Sequence, residues 1–261
     1  MSFSTTFLES SVAEARRETS TREGAGRLLA LDTAGVRAAA ALLSDGLVSV
    51  RVTASRRGED LSDLVGSLLE ERHLAVADLD GIGVNQGPGS YTGLRLGLGL
   101  ARGLALIDRL PVVPVGALEL AALACPVARS RVVVVLPAAA SRAFVGSFAR
   151  DRDSLQPLEP PRVVAFEELR AAVKVRPPDS ILAIEARPIA KNLWDALKDC
   201  VADAELVELP PERAGLLARV AAARLRAGEG MPAERVLPRY LGTSSPRPNR
   251  NRVVLEPPVG N

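Results

Sequence analysis

Asp32-Thr33 and the run from Gly87 to Gly93 are the residues whose types and spacing suggest chemistry. A carboxylate and a hydroxyl closing a short apolar run (Leu28–Asp32) stand where a strand end can face a phosphate or its metal. A turn carboxylate bonding local N–H groups is the competing reading. Gly87, Gly89 and Gly93 surround a loop that enters a helix, with Ser90 or Thr92 placed to cap its first turn. Backbone N–H groups at such a start can hold an anion. The spacing is GxGxxxG, not GxGxxG, and no Gly-Lys-Ser/Thr follows, so neither the dinucleotide fingerprint nor a Walker A loop is matched. A tight strand-to-helix turn is the plainer alternative.

Other chemistry lacks parts. The single His73 has no nucleophile partner for a triad. It falls in the last turn of an expected helix, a position suited to the helix dipole. Cys125 and Cys200 lie far apart, with no CxxC and no His at ligand spacing, so both read as apolar fillers in a reducing compartment. The 33 basic residues nearly balance 31 acidic ones and aromatics make up 3%, which disfavours a broad nucleic-acid face. No apolar run approaches the roughly 20 residues of a membrane span. Residues 1–26 lack a signal-peptide core. The expectation is therefore a soluble, cytoplasmic protein with no membrane contact.

The elements that must position these residues follow from periodicity and turn signals. Leu28–Asp32, Val36–Leu43 and Leu47–Thr53 read as three antiparallel strands, the last two joined by Asp45-Gly46. Helix 59–73, strand Asp80–Asn85, helix Leu94–Ile107 and strand Pro111–Val115 follow. Three antiparallel strands, then helix, strand, helix, strand, is a ribonuclease-H-like order rather than a Rossmann one. The pattern recurs: strands Arg131–Leu136, Ala143–Ala149 and Arg162–Ala165, helix Phe166–Val173, strand Ser180–Ile184, helix Ile189–Leu197, and strand Glu205–Glu208. A long helix 211–227 comes next. The expected class is α/β with two ribonuclease-H-like lobes. The expected organisation is a flexible leader (1–26), a first lobe (27–115) completed by 211–242, a degenerate second lobe (116–210) and a disordered tail (243–261). Trp194 reads as core. Arg247, Arg250 and Arg252 read as a solvated tail.

The helix after the loop is unusual. Gly93 and Gly97, then Gly99 and Gly103, form two small-xxx-small pairs, and each mid-helix Gly costs roughly 1 kcal/mol against Ala. Several together imply a close approach to this backbone. Leu94, Leu96, Leu98, Leu100, Leu104 and Leu106 make the helix apolar nearly all round. Either it is buried within its own chain, or one face docks on another subunit.

The segment DGIGVNQGPGSYTGLRLGLGLARGLAL resembles the GPGSFTGLRIG…AKGLA hallmark of the TsaB (YeaZ) family, the bacterial tRNA threonylcarbamoyladenosine biosynthesis proteins. RLLALDTAGVRAAAALLSDG looks like that family's opening, and LPRYLG (Leu237–Gly242) like its closing P-x-Y-L-R. The resemblance runs from about Arg27 to Gly242. It implies an actin-like fold and a non-catalytic subunit that heterodimerises with TsaD, which transfers threonylcarbamoyl to N6 of an adenosine beside the tRNA anticodon. A TsaE-like ATPase joins the complex, tRNA is met only through it, and a homodimer forms in isolation. No cofactor is required, and a nucleotide would belong only at the subunit junction.

Carried onto this chain, the interface helices imply Leu61, Leu64, Leu68, Tyr91, Gly93, Leu94, Gly97, Leu100, Ala101 and Leu104 as partner-facing. Asp32, Thr33, Gly87, Gly89, Ser90 and Thr92 remain candidates to face a phosphate. The chain departs from the family where members read D-A-R-x-x-E-V-Y. Pro137, Ala138 and Ala139 stand for D-A-R, Arg142 for the acid and Phe144 for Tyr. Arg57 stands where many members have His, and the paired-His metal motif of TsaD is missing. An autonomous actin-like ATPase or phosphotransferase is the alternative reading, and a stand-alone peptidase lacks an assembled nucleophile–base pair.

Overall fold

Leu28–Asp32 (β1) is apolar at four of five positions and buried throughout, so it must be a central strand with both sheet faces covered. It pairs antiparallel with β2 (Ala39–Ser44), which turns into antiparallel β3 (Leu47–Val52). Asp45 and Gly46 have φ of 51° and 78°, the two-residue hairpin geometry that Asp-Gly favours. On its other side β1 pairs parallel with β4 (Gly81–Gly87), and β4 with β5 (Val112–Gly116). The sheet order is β3-β2-β1-β4-β5. The computed structural model describes residues 26–53, 60–125, 130–138, 141–151, 154–173, 180–185, 205–209 and 213–241.

Alternate residues of β1 feed two cores, as a strand's period of two requires. Leu29 and Leu31 share a cluster with Leu61, Leu68, Leu98 and Ala101 from helices α1 (Leu61–Glu71) and α2 (Tyr91–Asp108). Leu28 and Ala30 share another with Leu217, Ala218 and Ala221 of helix α5 (Ala214–Arg226). This last helix lies very close to the sheet: a Cβ on Gly83 would sit 2.6 Å from the Ala221 Cβ. Helix α1 ends in a Schellman-type turn, with Leu74 N donating to Leu69 O and His73 N to Glu70 O. His73 therefore lies just past the helix end in the left-handed region (φ 53°), not in its last turn.

An unpredicted helix α3 (Ala117–Leu123) follows β5 directly. Its Ala/Leu run carries only one charged residue and is buried almost all round, so it shows little amphipathic period in the sequence. It holds the halves together. Leu118, Ala121 and Ala122 share one apolar cluster with Ala34 and Leu94 of the first sheet layer and with Val132, Leu136 and Phe148 of the second.

The second sheet repeats the topology of the first. Strand β6 (Arg131–Pro137) pairs antiparallel with β7 (Arg142–Arg150) and parallel with β10 (Ser180–Glu185), which pairs parallel with β11 (Glu205–Leu209). The third antiparallel position is shared by β8 (Leu155–Pro157), a short strand the sequence does not announce, and β9 (Arg162–Ala165). Between β9 and β10, Phe166–Glu168 is a 3-10 turn and only Leu169–Ala172 (α4) is α-helical. Two such sheets make the α/β actin-like fold. The leader apart from Gly26, Arg57, the helix Ile189–Leu197 with Trp194, Cys200 and the tail with its three arginines lie outside the described residues.

Candidate functional site

The turn after β1 meets the loop after β4 at the N-terminus of α2. Asn85, fully buried near the end of β4, joins them: its Nδ2 donates to Asp32 Oδ1 at 2.8 Å, and its Oδ1 accepts from Gly87 N at 3.0 Å. Asp32, 4% exposed, also accepts from Ala34 N at 3.4 Å. Ser90 N donates to Ala34 O at 2.9 Å. Ser90, not Thr92, caps the helix, its Oγ accepting from Gly93 N at 3.2 Å. Thr92 is exposed.

The glycines let these pieces touch. A Cβ on Gly89 would lie 2.4 Å from Ala34 O, and one on Gly93 2.1 Å from Thr33 O. The six residues read as phosphate-facing thus gather around one junction, except for the outward Thr92. They are engaged with one another there. The N–H groups of Gly87, Ser90 and Gly93 are already bonded within the chain, and the space an anion would occupy is filled by the 32–34 turn. In the second sheet, the turn after β6 begins with Pro137 and Ala138, which carry no ligand side chain, and Ala138 N donates to Arg142 O at 2.8 Å. One loose end remains: the buried Thr33 hydroxyl oxygen has no hydrogen-bond partner.

Helix α2 resolves the question its sequence leaves open: it has a buried side and a bare one. Leu94, Gly97, Leu98, Ala101 and Ala105 are buried. A Cβ on Gly97 would meet Thr33 Oγ1 at 2.3 Å. Gly99 and Gly103 are exposed and a Cβ on either would meet nothing within 4 Å. Beside them Leu106 and Ile107 are 78% and 85% exposed, and Leu96, Leu100 and Leu104 are half-buried. Of the ten residues read as partner-facing, Leu61, Leu68, Leu94, Gly97 and Ala101 are corrected to core positions, since their surfaces are spent inside this chain. Gly93 is spent on Thr33. Leu64, Leu100 and Leu104 are half-buried, and Tyr91 is exposed. The sequence singles out the Gly99 and Gly103 pair; Leu106 and Ile107, one helical turn beyond Gly103, are exposed beside it and were not among the residues read as partner-facing.

A C-terminal strap flanks the same helix. Met231 bridges Val112, Arg102 donates to the carbonyls of Ala233 and Val236, and Arg239 N donates to Gln86 O at 2.7 Å. Tyr240 stacks on Tyr91 with centroids 5.3 Å apart, and Arg95 lies 4.1 Å over the Tyr91 ring. The Tyr240 phenol, bonded to Arg95 Nε at 3.3 Å, makes the Arg95 guanidinium hold its proton more firmly than usual. In the second lobe burial pushes the Cys125 thiol up to about 11, marking it as filler. Among the described residues no three His, Cys, Asp or Glu side chains gather as a metal set, and no helix is long and apolar enough to cross a membrane.

Comparison with known proteins places these features in a lineage. The sequence model of the family TsaD: tRNA N6-adenosine threonylcarbamoyltransferase matches residues 48–193. The TsaB protein of Escherichia coli K12 is 35% identical over 94 residues, 35% of this chain and 41% of that protein. TsaB of Bacillus subtilis is 37% identical over 95 residues, 35% of this chain and 42% of that protein. The match therefore spans about two fifths of the length of these relatives. Among solved structures, YeaZ from Pseudomonas aeruginosa superposes with a TM-score of 0.64 at 26% identity, covering 82% of this chain and all of that one. The chain belongs to the tRNA N6-adenosine threonylcarbamoyltransferase family, and within it is homologous to the TsaB (YeaZ) proteins.

Proposed function

We propose that this chain is a non-catalytic partner subunit of a bacterial threonylcarbamoyl-transferase complex. It docks on a TsaD-like catalytic subunit that forms N6-threonylcarbamoyladenosine beside the tRNA anticodon. The observation that carries the reading is the bare side of α2, where Gly99 and Gly103 leave the backbone uncovered beside exposed Leu106 and Ile107. A soluble helix spends roughly 1 kcal/mol on each such glycine. Close packing of a partner helix would recover that cost, and an interface of standard size buries ~1,200–2,000 Å².

The chain supplies shape rather than chemistry in this proposal. It needs no cofactor of its own, meets tRNA only through the assembly, pairs with itself when alone, and works in the cytoplasm beside a TsaE-like ATPase. The closed Asp32–Asn85–Gly87 junction and the ligand-free Pro137-Ala138 turn weigh against an autonomous ATPase or phosphotransferase. Co-purification with the TsaD-like subunit tests the reading. Gly99→Leu and Gly103→Leu should each abolish the heterodimer while leaving the isolated chain folded. A complex formed by both variants with unchanged affinity would refute this docking face.

A further inference from the structure

Exposed apolar surface is concentrated on one side of the chain. Of the eight large hydrophobic side chains that stand exposed among the described residues, Tyr91, Leu106, Ile107, Leu237 and Tyr240 belong to α2 and the C-terminal strap. The strap runs back along α2 and is tied to it at two points. Arg102 holds the carbonyl of Val236, and Tyr240 meets Tyr91 and Arg95. Leu237, 65% exposed, lies between the two ties. On the helix, Tyr91, Arg95, Gly99 and Leu106 are all exposed and follow one another at steps of four, four and seven, which sets them in one row. That row connects the bare side of α2 with the strap.

Within the row Arg95 is held in a single pose. Its guanidinium lies 4.1 Å over the Tyr91 ring centroid, its Nε donates to the Tyr240 hydroxyl at 3.3 Å, and the two tyrosine rings stack. No carboxylate approaches it among the described residues. The exposed charges of α2 and the strap are mostly basic, with Arg95, Arg109, Arg235 and Arg239 against Asp108 and Glu234. Tyrosines and arginines are over-represented among the residues that carry binding energy at protein interfaces. A guanidinium with its Nη1 end open takes a carboxylate through two parallel N–H···O bonds. The apolar side chains beside the row call for a protein counterpart rather than a sugar–phosphate backbone. Resting on the docking reading above, we propose that the docking face of α2 extends over the strap, and that the partner helix seated on Gly99 and Gly103 carries an aspartate or glutamate that Arg95 receives end-on. Such a charge pair fixes the register of the partner helix, while Leu237 meets its apolar flank.

Heterodimer affinity, measured by calorimetry between the full chain and the TsaD-like subunit, tests this. Arg95→Glu should weaken the complex roughly 10–100-fold, and Leu237→Ser roughly tenfold. Arg95→Lys keeps the charge without the planar fork and should lose only part of the affinity. The same variant places an amine at this position. A carbodiimide condenses an amine with a carboxyl to an amide, with loss of water, so it should couple position 95 of Arg95→Lys to one Asp or Glu of the partner, located by peptide mass spectrometry. Gly99→Leu is the reference for docking itself. If Gly99→Leu abolishes the complex while Arg95→Glu binds like the native chain, or if position 95 couples to no partner carboxyl, this inference is overturned and docking on α2 stands. If Gly99→Leu also binds like the native chain, both fall. Weaker tRNA binding by the assembled complex of Arg95→Glu, with heterodimer affinity unchanged, would assign Arg95 to RNA phosphates and likewise overturn the proposal. Thermal midpoints check folding, and they should stay native because Arg95 and Leu237 are both exposed.

Discussion

The Thr33 side chain fills the space that any side chain on Gly97 would need: a Cβ there would lie 2.3 Å from Thr33 Oγ1 and 2.9 Å from its Cγ2. The first glycine pair of α2 therefore serves internal packing, and the second, Gly99 and Gly103, stays open. The two pairs look alike in the sequence, yet their substitution should have opposite consequences.

Gly97→Leu should unfold or strongly destabilise the chain, by more than the 1–3 kcal/mol typical of overpacking. Gly99→Leu should instead preserve or slightly raise the stability of the isolated protein, because Leu is the better helix former by several tenths of a kcal/mol. Denaturant titration of the two variants measures both. Equal destabilisation would mean that the phase of the helix is misassigned.

The buried Asn85 amide links Asp32 to Gly87, so Asn85→Ala leaves a carboxylate oxygen and an amide N–H short of partners. A loss of about 1–3 kcal/mol is expected. Amide exchange should rise at Gly87 and spread to Ser90 and Gly93, which depend on the same turn. Calorimetry of the native chain with millimolar Mg-ATP should show no binding heat, since the loop donors are already committed. Saturable heat that Asp32→Ala removes would restore the phosphotransferase reading.

Arg102 closes the strap by donating to the carbonyls of Ala233 and Val236. Arg102→Ala should free that segment, costing roughly 1.5–3 kcal/mol for charged hydrogen bonds if the strap stays cooperative with the core. Hydrogen exchange at Val236 and Arg239 reports the release. Arg102→Lys should restore only part of the protection, because an ammonium lacks the planar fork that reaches two carbonyls.

Burial raises the Cys125 thiol from 9.0 to about 11. Above pH 9 the unfolded chain loses this proton first, so stability should fall with rising pH through that window and level off above about 11. The slope should approach, at most, about 1.4 kcal/mol per pH unit. Comparison with Cys125→Ala isolates the contribution, since the variant lacks this part of the decline. Peptide mapping after alkylation at pH 8 should find Cys125 unmodified in the native protein and modified in urea.

Much of the architecture follows from local order. LLALD, apolar at four of its five positions, could only be a doubly covered strand, Asp45-Gly46 could only turn tightly, and the ribonuclease-H-like succession appears twice along the chain. The chemistry-bearing types around Asp32 and Gly87–Gly93 were equally legible, because glycine spacing and capping residues are local signals. What they do was decided in three dimensions. Whether Asp32 faces a ligand or Asn85 depends on a contact across 53 positions, and no periodicity encodes it. Helix α3 was hidden because a segment buried nearly all round shows little alternation. The choice between Gly97 and Gly99 required the helix phase, which is fixed only when Leu94, Leu98 and Ala101 settle into the core and turn one glycine pair toward Thr33 and the other outward.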